Sequence, residues 1–217
     1  MELENTHAAF VAAGNRSYWG IETDVHRTSD GAFIIYHDDN LKRLCGMENV
    51  IEQTDFATLR ALKLKGLEGE ERADICMPTL KEYIRICKRY EKYCVLEVKN
   101  HMEEADILRM IEEIEEENYL DHVIFISFDF DNLVYVRKFR PEQTVQFLFV
   151  DFTEEIFQKV LEHRFDIDIH YPKLTKELLD RCHANGIEVN CWTVNEPVDG
   201  ERLAAWGIDY ITSNILE

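Results

Sequence analysis

Two short segments place acids at strand spacing, and they carry the most chemistry in this chain. Ile21-Glu22-Thr23-Asp24-Val25 sets acids at i and i+2, so on an extended strand both carboxylates leave the same face. If that face looks into a barrel, two adjacent acids are costly without a counter-charge. Near the C-terminal end of such a strand they become natural oxygen ligands for Ca²⁺ or Mg²⁺. On a strand that faces water at a sheet edge, the same acids are simply solvated. Val95-Leu96-Glu97-Val98-Lys99 repeats the pattern, with Glu97 and Lys99 on one face. They form either an internal ion pair or a third carboxylate for the same cation, with Lys99 drawing in an anionic substrate. Three acids and a lysine at the ends of parallel strands suit a metal-assisted reaction on a phosphate ester, in which the cation offsets charge developing on a phosphoryl oxygen.

Two further side chains stand where strands end. His37, in Ile35-Tyr36-His37-Asp38, is by itself an ordinary polar residue. Beside a metal-bound phosphodiester, a histidine suits proton donation to a leaving alkoxide. Trp192, in Trp192-Thr193-Val194-Asn195, serves equally well as core or as pocket wall, because barrels bind substrates at their C-terminal rim.

The elements that position these residues follow from periodicity. From residue 93 onward, β-rich apolar segments recur at 94–98, 123–127, 144–150, 166–169, 188–192 and 209–212. Their midpoints lie about 20–29 residues apart, the length of one strand, one helix and two short loops. Thr79 with Glu82, Thr153 and Thr175 are placed to open the intervening helices. Such alternation predicts parallel strands joined by helical crossovers. The first half is less regular. Asn5-Thr6 opens a short helix, a strand covers 20–25, and Asp30-Gly31 turns the chain into a second strand over 32–36, which must return antiparallel. The parallel count is seven. The predicted fold is α/β, a TIM-type (β/α)8 barrel short of its first strand. A single domain spans 1–217, with a hairpin insertion over 26–43 that carries His37.

Composition bounds the function. The 217 residues are 46% apolar and 31% charged, as in a core-forming globular domain. With 24 basic against 43 acidic residues and a formal charge of −19, the surface repels nucleic acid and anionic membranes. Glu112-Glu113-Ile114-Glu115-Glu116-Glu117 keeps Ile114 in phase with Ile111 and Ile107, as in a solvated helix face. No uncharged apolar stretch reaches the roughly 18 residues of a membrane span, and the acidic start has no signal-peptide core. A cytoplasmic protein without membrane insertion is predicted. The six cysteines have no Cys-x-x-Cys spacing, so reduced thiols are expected.

Taken together, these segments resemble the glycerophosphodiester phosphodiesterase family, in order along nearly the whole chain. Glu4-Asn5-Thr6 resembles the end of the family's Pro-Glu-Asn-Thr motif, with Leu3 in place of proline. Ile21-Glu22-Thr23-Asp24-Val25 resembles its Glu-x-Asp metal motif. Asp30-Gly31 followed by His37-Asp38, Leu41 and Arg43 resembles its His-Asp-x-x-Leu-x-Arg stretch. Pro78-Thr79-Leu80, Leu96-Glu97-Val98-Lys99, Ser127-Phe128 and Trp192-Thr193-Val194-Asn195 complete the set. The resemblance implies a TIM-type barrel with a divalent cation, Ca²⁺ or Mg²⁺, held by Glu22, Asp24 and Glu97. It implies His37 as one of two catalytic histidines, Lys99 beside the phosphate and Trp192 in the pocket lining. The implied reaction cleaves a small-molecule glycerophosphodiester to glycerol 3-phosphate and an alcohol.

One motif is missing from the resemblance. The family opens with a strand ending in His-Arg-Gly, whose histidine is the second acid/base group and whose arginine binds phosphate. Here Met1 stands three residues before Glu4. Loss of one acid/base group costs ~10²–10⁴ in rate, so impaired hydrolysis is expected of the chain as written. His7 follows the Glu-Asn-Thr segment on a helix and does not substitute. His26 shares the strand face of Glu22 and Asp24 and is the remaining candidate. The alternatives are a non-catalytic barrel that binds a phosphodiester or a partner, and a related phosphodiesterase acting on lysophospholipids.

Overall fold

The computed structural model describes residues 2–70, 72 and 75–217. They divide into two compact units, Met1–Ile124 and Phe125–Glu217.

In the first unit, α1 (His7–Gly14) starts where the Thr6 hydroxyl accepts a hydrogen bond from the Ala9 N–H at 3.2 Å. β1 (Gly20–Arg27) and β2 (Phe33–Ile35) then form the expected antiparallel hairpin. Its turn closes through the Gly31 N–H on the Thr28 carbonyl at 2.9 Å, with Gly31 at a φ of 86° that a side chain would strain. β1 runs two residues past the predicted end because His26 and Arg27 pair with Ile34 and Phe33. After β2 come α2 (Lys42–Cys45), a 3-10 turn over Ile51–Gln53, and α3 (Phe56–Ala61). Periodicity gave no elements here, since none of these pieces completes two helical turns. They are held instead by a local apolar cluster that includes Ile34, Tyr36, Leu41, Ile51, Leu59 and Met77, all almost fully buried. α4 (Leu80–Arg89) opens with the predicted capping box between Thr79 and Glu82. It buries Leu80, Tyr83, Ile84 and Cys87, and the Tyr83 hydroxyl donates to the Ile21 carbonyl of β1 at 2.6 Å. β3 (Tyr93–Val98) pairs parallel with β1, and α5 (Glu104–Glu116) follows.

β4 (Val123–Ser127) carries the chain into the second unit. There α6 (Phe130–Phe139), β5 (Val145–Phe149), α7 (Glu154–His163), β6 (Asp166–His170), α8 (Lys176–Ala184), β7 (Val189–Trp192), α9 (Pro197–Trp206) and β8 (Tyr210–Ile211) alternate. Each strand from β4 to β8 pairs parallel with the next. Thr153 and Thr175 cap α7 and α8 as their spacing predicts. Among the described residues, β2 alone is antiparallel, so the parallel count is the expected seven. All six cysteines are free. Burial pushes the Cys182 thiol up to about 11 and Cys191 up to about 12, which leaves both protonated and unreactive at neutral pH. Among the described residues, no helix is long and apolar enough to cross a membrane.

Candidate active site

The pairing of β1 with β3 decides where the acids meet. Asp24 lies directly opposite Glu97, and Glu22 opposite Val95. Partners in a parallel pair share a face, so Glu22, Asp24 and Glu97 converge. One carboxylate oxygen from each lies within 4.8 Å of the others. Asp24 is only 3% exposed. Its Oδ2 accepts a hydrogen bond from Asn5 Nδ2 at 2.8 Å, while Asn5 Oδ1 accepts from the Thr23 hydroxyl at 2.7 Å. An asparagine just ahead of α1 thus fixes one face of the Asp24 carboxylate. Lys99 reaches the other side, with Nζ 2.7 Å from Glu97 Oε1 and 3.4 Å from Asp24 Oδ1. The ion pair and the three-carboxylate cluster, alternatives in the sequence, coexist in the structure.

Electrostatics bear on what this cluster can hold. Burial raises the pKa of Glu97, and the Asp24 charge opposite raises it further, while Lys99 works against both. Burial alone would lower the Lys99 pKa, but Asp24 and Glu97 together outweigh it and raise it. Lys99 sets an ammonium against Glu97 and Asp24, and with Glu22 beside them the three carboxylates gather negative charge of the kind a divalent cation matches. All three donors are hard carboxylate oxygens, the type Ca²⁺ and Mg²⁺ both take. The residues therefore fit a divalent metal.

His37 follows β2, on a segment tied to β1 by the Tyr36 N–H on the Asp24 carbonyl at 3.1 Å. Its side chain is 56% exposed, and Nδ1 lies 2.7 Å from Asp38 Oδ1. Arg43 grips the Asp38 carboxylate with two bonds, Nε to Oδ2 at 2.7 Å and Nη2 to Oδ1 at 2.9 Å, and also donates to Glu4. The Arg43 hydrogen bonds hold Asp38 down to about 2 against the cost of burial, with His37 helping. An ionised Asp38 accepts a hydrogen bond from Nδ1–H, which assigns the reactive position of the ring to Nε2. The imidazole is near enough to act electrostatically on Glu97.

Two other histidines near these strands, His7 and His26, face glutamates outside the carboxylate cluster. His7 Nε2 lies 3.3 Å from Glu82 on α4. His26 is fully buried, and its Nδ1 lies 3.5 Å from Glu52 Oε1. That separation is long for a hydrogen bond, and neither ring nitrogen of His26 has a hydrogen-bond partner. Sequence reasoning quoted Asn5, Asp38 and Arg43 only as motif letters. Their roles in holding Asp24 and His37 depend on contacts that the motif does not state.

Trp192 belongs to the second unit. It ends β7 in register with His170 of β6, their rings 5.1 Å apart, and Phe128 meets it edge-on at 5.8 Å. Phe128 is 48% exposed. The three strand ends of this unit therefore carry a partly open aromatic group, rather than Trp192 alone.

The chain shows clear relatives. A glycerophosphodiester phosphodiesterase of Caldanaerobacter subterraneus is 28% identical over 218 residues, covering 97% of this chain and 88% of that protein. Glycerophosphodiester phosphodiesterase 1 of Mus musculus is 31% identical over 108 residues, covering 47% of this chain and 31% of that protein. In structure, an Oleispira antarctica phosphodiesterase in complex with its product sn-glycerol-3-phosphate matches with a TM-score of 0.86 at 25% identity, over 97% of this chain and 87% of that one. A Thermotoga maritima glycerophosphodiester phosphodiesterase matches with a TM-score of 0.74 at 26% identity, over 97% and 88%. The α/β fold is that of these TIM-type barrel enzymes. The model of the glycerophosphoryl diester phosphodiesterase family matches residues 2–216, both units together, and the chain belongs to that family and its enzyme class.

Proposed function

We propose that this chain hydrolyses glycerophosphodiesters to glycerol 3-phosphate and an alcohol, with Glu22, Asp24 and Glu97 holding a divalent cation. The observation that carries the reading is the meeting of these three carboxylates beside Lys99 at the paired ends of β1 and β3. A cation bound there would withdraw charge from a phosphoryl oxygen. Lys99 binds a second anionic oxygen and opposes the rise that burial and Asp24 impose on the Glu97 pKa. His37 donates the proton from Nε2 to the departing alkoxide, and ionised Asp38 holds the ring in the required tautomer. Net reaction adds one water across a P–O bond. Trp192, which the family resemblance assigns to the pocket lining, stands within its own unit in an aromatic group with His170 and Phe128. The formal charge of −19, which repels an anionic membrane surface, favours a water-soluble diester in the cytoplasm over a membrane-held lysolipid.

The test is calorimetric titration of Ca²⁺ and Mg²⁺ into the protein and into Glu22→Gln, Asp24→Asn and Glu97→Gln, alongside hydrolysis of glycerophosphocholine. Each substitution should weaken cation binding and abolish cation-dependent turnover. Retention of both by all three variants would overturn the metal assignment.

A further inference from the structure

No motif singles out Glu52, yet its side chain meets two parts of the site's frame and the stretch that carries it meets a third. From below, the fully buried imidazole of His26 on β1 presents Nδ1 to Glu52 Oε1 at 3.5 Å, and neither ring nitrogen of His26 makes a hydrogen bond. From above, Asn100 Nδ2 donates to Glu52 Oε1 at 3.1 Å and to Asp39 Oδ1 at 3.1 Å. Asn100 directly follows Lys99, and Asp39 directly follows the His37-Asp38 pair. The stretch that carries Glu52 also pairs with the His37 segment through its backbone. Leu41 N–H donates to the Asn49 carbonyl at 3.0 Å, and Ile51 N–H donates to the Asp39 carbonyl at 2.9 Å. Asn100 adopts a left-handed φ of 50°, a conformation that asparagine tolerates better than most side chains. That bend turns its amide across the gap between the two acids.

We propose that Glu52 is a positioning residue for His37: by holding the Asn100 amide, it ties the segment bearing His37 to the strand end bearing Glu97 and Lys99. His37 itself is 56% exposed, and its own pairing with Asp38 and Arg43 lies within the same segment. That pairing sets the ring's tautomer but not its distance from the carboxylates. Distance to Glu97 is set by how the segment is joined to β3, and Asn100 supplies a side-chain join. Glu52 supports it against His26, whose burial leaves the carboxylate a fixed floor. Without Glu52, the Asn100 amide loses an acceptor and the segment is freer to shift; a displacement of about 1 Å costs ~10²-fold in a reaction that depends on close approach.

The inference rests on His37 as proton donor, so the experiment separates the two claims. Hydrolysis is measured on glycerophosphocholine, whose alkoxide needs a proton, and on a p-nitrophenyl phosphodiester, whose leaving group does not. His37→Ala should lose activity on the first substrate far more than on the second; equal losses would refute the role of His37. Glu52→Ala should lower kcat on glycerophosphocholine about 10- to 100-fold, spare the nitrophenyl ester, and leave KM and calorimetric Ca²⁺ affinity within about twofold. Glu52→Gln keeps an oxygen for the Asn100 amide and should restore most of the rate. Asn100→Ala, at an exposed position, should repeat the loss, and the double variant should be no worse than either single one. It also serves if Glu52→Ala fails to fold. Equal losses on both substrates, or additive losses in the double variant, would overturn the positioning role.

Discussion

Asp38→Asn changes one charge and leaves the shape of the site alone, which makes it a sharp probe of the His37 arrangement. Asp38 sits at about 2 instead of the usual value near 3.9 because Arg43 and His37 both donate to its ionised form. A depression of nearly two pKa units corresponds to about 2.5 kcal/mol of differential interaction. The partners are half exposed, at 56% for His37 and 46% for Arg43, so screening reduces the contribution to about 1 kcal/mol. For a carboxylate with a lowered folded pKa, that stability is present above the unfolded value near 4 and disappears as pH falls through 2. The substitution should therefore cost about 1 kcal/mol at pH 7, a drop of about 2–4 °C in Tm for a chain of this size, with the gap closing toward pH 2. The kinetic cost should be larger. A neutral amide can donate to Nδ1 as readily as accept from it, so the ring is no longer held with its proton on the side of residue 38. Loss of an oriented acid/base group predicts a fall in kcat of ~10²-fold or more, assayed on glycerophosphocholine with the cation saturating. A variant that keeps wild-type kcat while showing the Tm loss would refute the orienting role of Asp38 and leave it a purely structural anchor.

Asn5→Ala removes the donor to Asp24 Oδ2 and should weaken divalent-cation binding about 10-fold by calorimetry, in the range for groups that orient a metal ligand. An unchanged affinity would mean that the three acids hold their geometry without it. In the second unit, burial raises Asp166 to about 6, and the Glu188 N–H on its Oδ1 at 2.8 Å only partly offsets this. A raised folded pKa favours the fold below pH 4 and works against it as pH climbs through 6. Asp166→Asn keeps the acceptor without the charge, so it should stabilise the protein by about 1–2 kcal/mol at pH 8 after screening. The gain should vanish at pH 4 in thermal melts.

The regular part of the fold was legible because its physics is local. Thr79, Thr153 and Thr175 cap helices through hydroxyls three residues from the amides they satisfy, and a capping pattern within four residues needs no tertiary knowledge. Asp30-Gly31 announced the hairpin in the same way, since a residue at a φ of 86° is close to a statement that glycine belongs there. The stretch from 41 to 77 gave no such signal. Its 3-10 turn and two short helices are too brief to show a period, and their stability comes from Leu41, Ile51, Leu59 and Met77 packing with Ile34 and Tyr36 of the preceding strand and loop. A cluster assembled across that much chain cannot be recovered from spacing.

The site divides along the same line. Spacing within Glu22-Thr23-Asp24 and within Glu97-Val98-Lys99 gives the face of each acid, because strand alternation is exact to one residue. Register between the strands is not written in either segment. A slip of one residue between β1 and β3 would set Asp24 against Leu96 or Val98 and disperse the cluster, yet both segments would look the same in sequence. The observed register, Asp24 opposite Glu97, is held partly by apolar neighbours with no chemistry: Ile21 pairs with Cys94, Val25 with Val98, and Tyr83 locks the Ile21 carbonyl from α4. The bonds that tune the site then come from still farther away, with Asn5 reaching Asp24 across 19 positions and Asn100 reaching Glu52 across 48. Residue types and short spacing name the reagents. The frame that brings them within bonding distance is set by packing residues that carry no reagent at all.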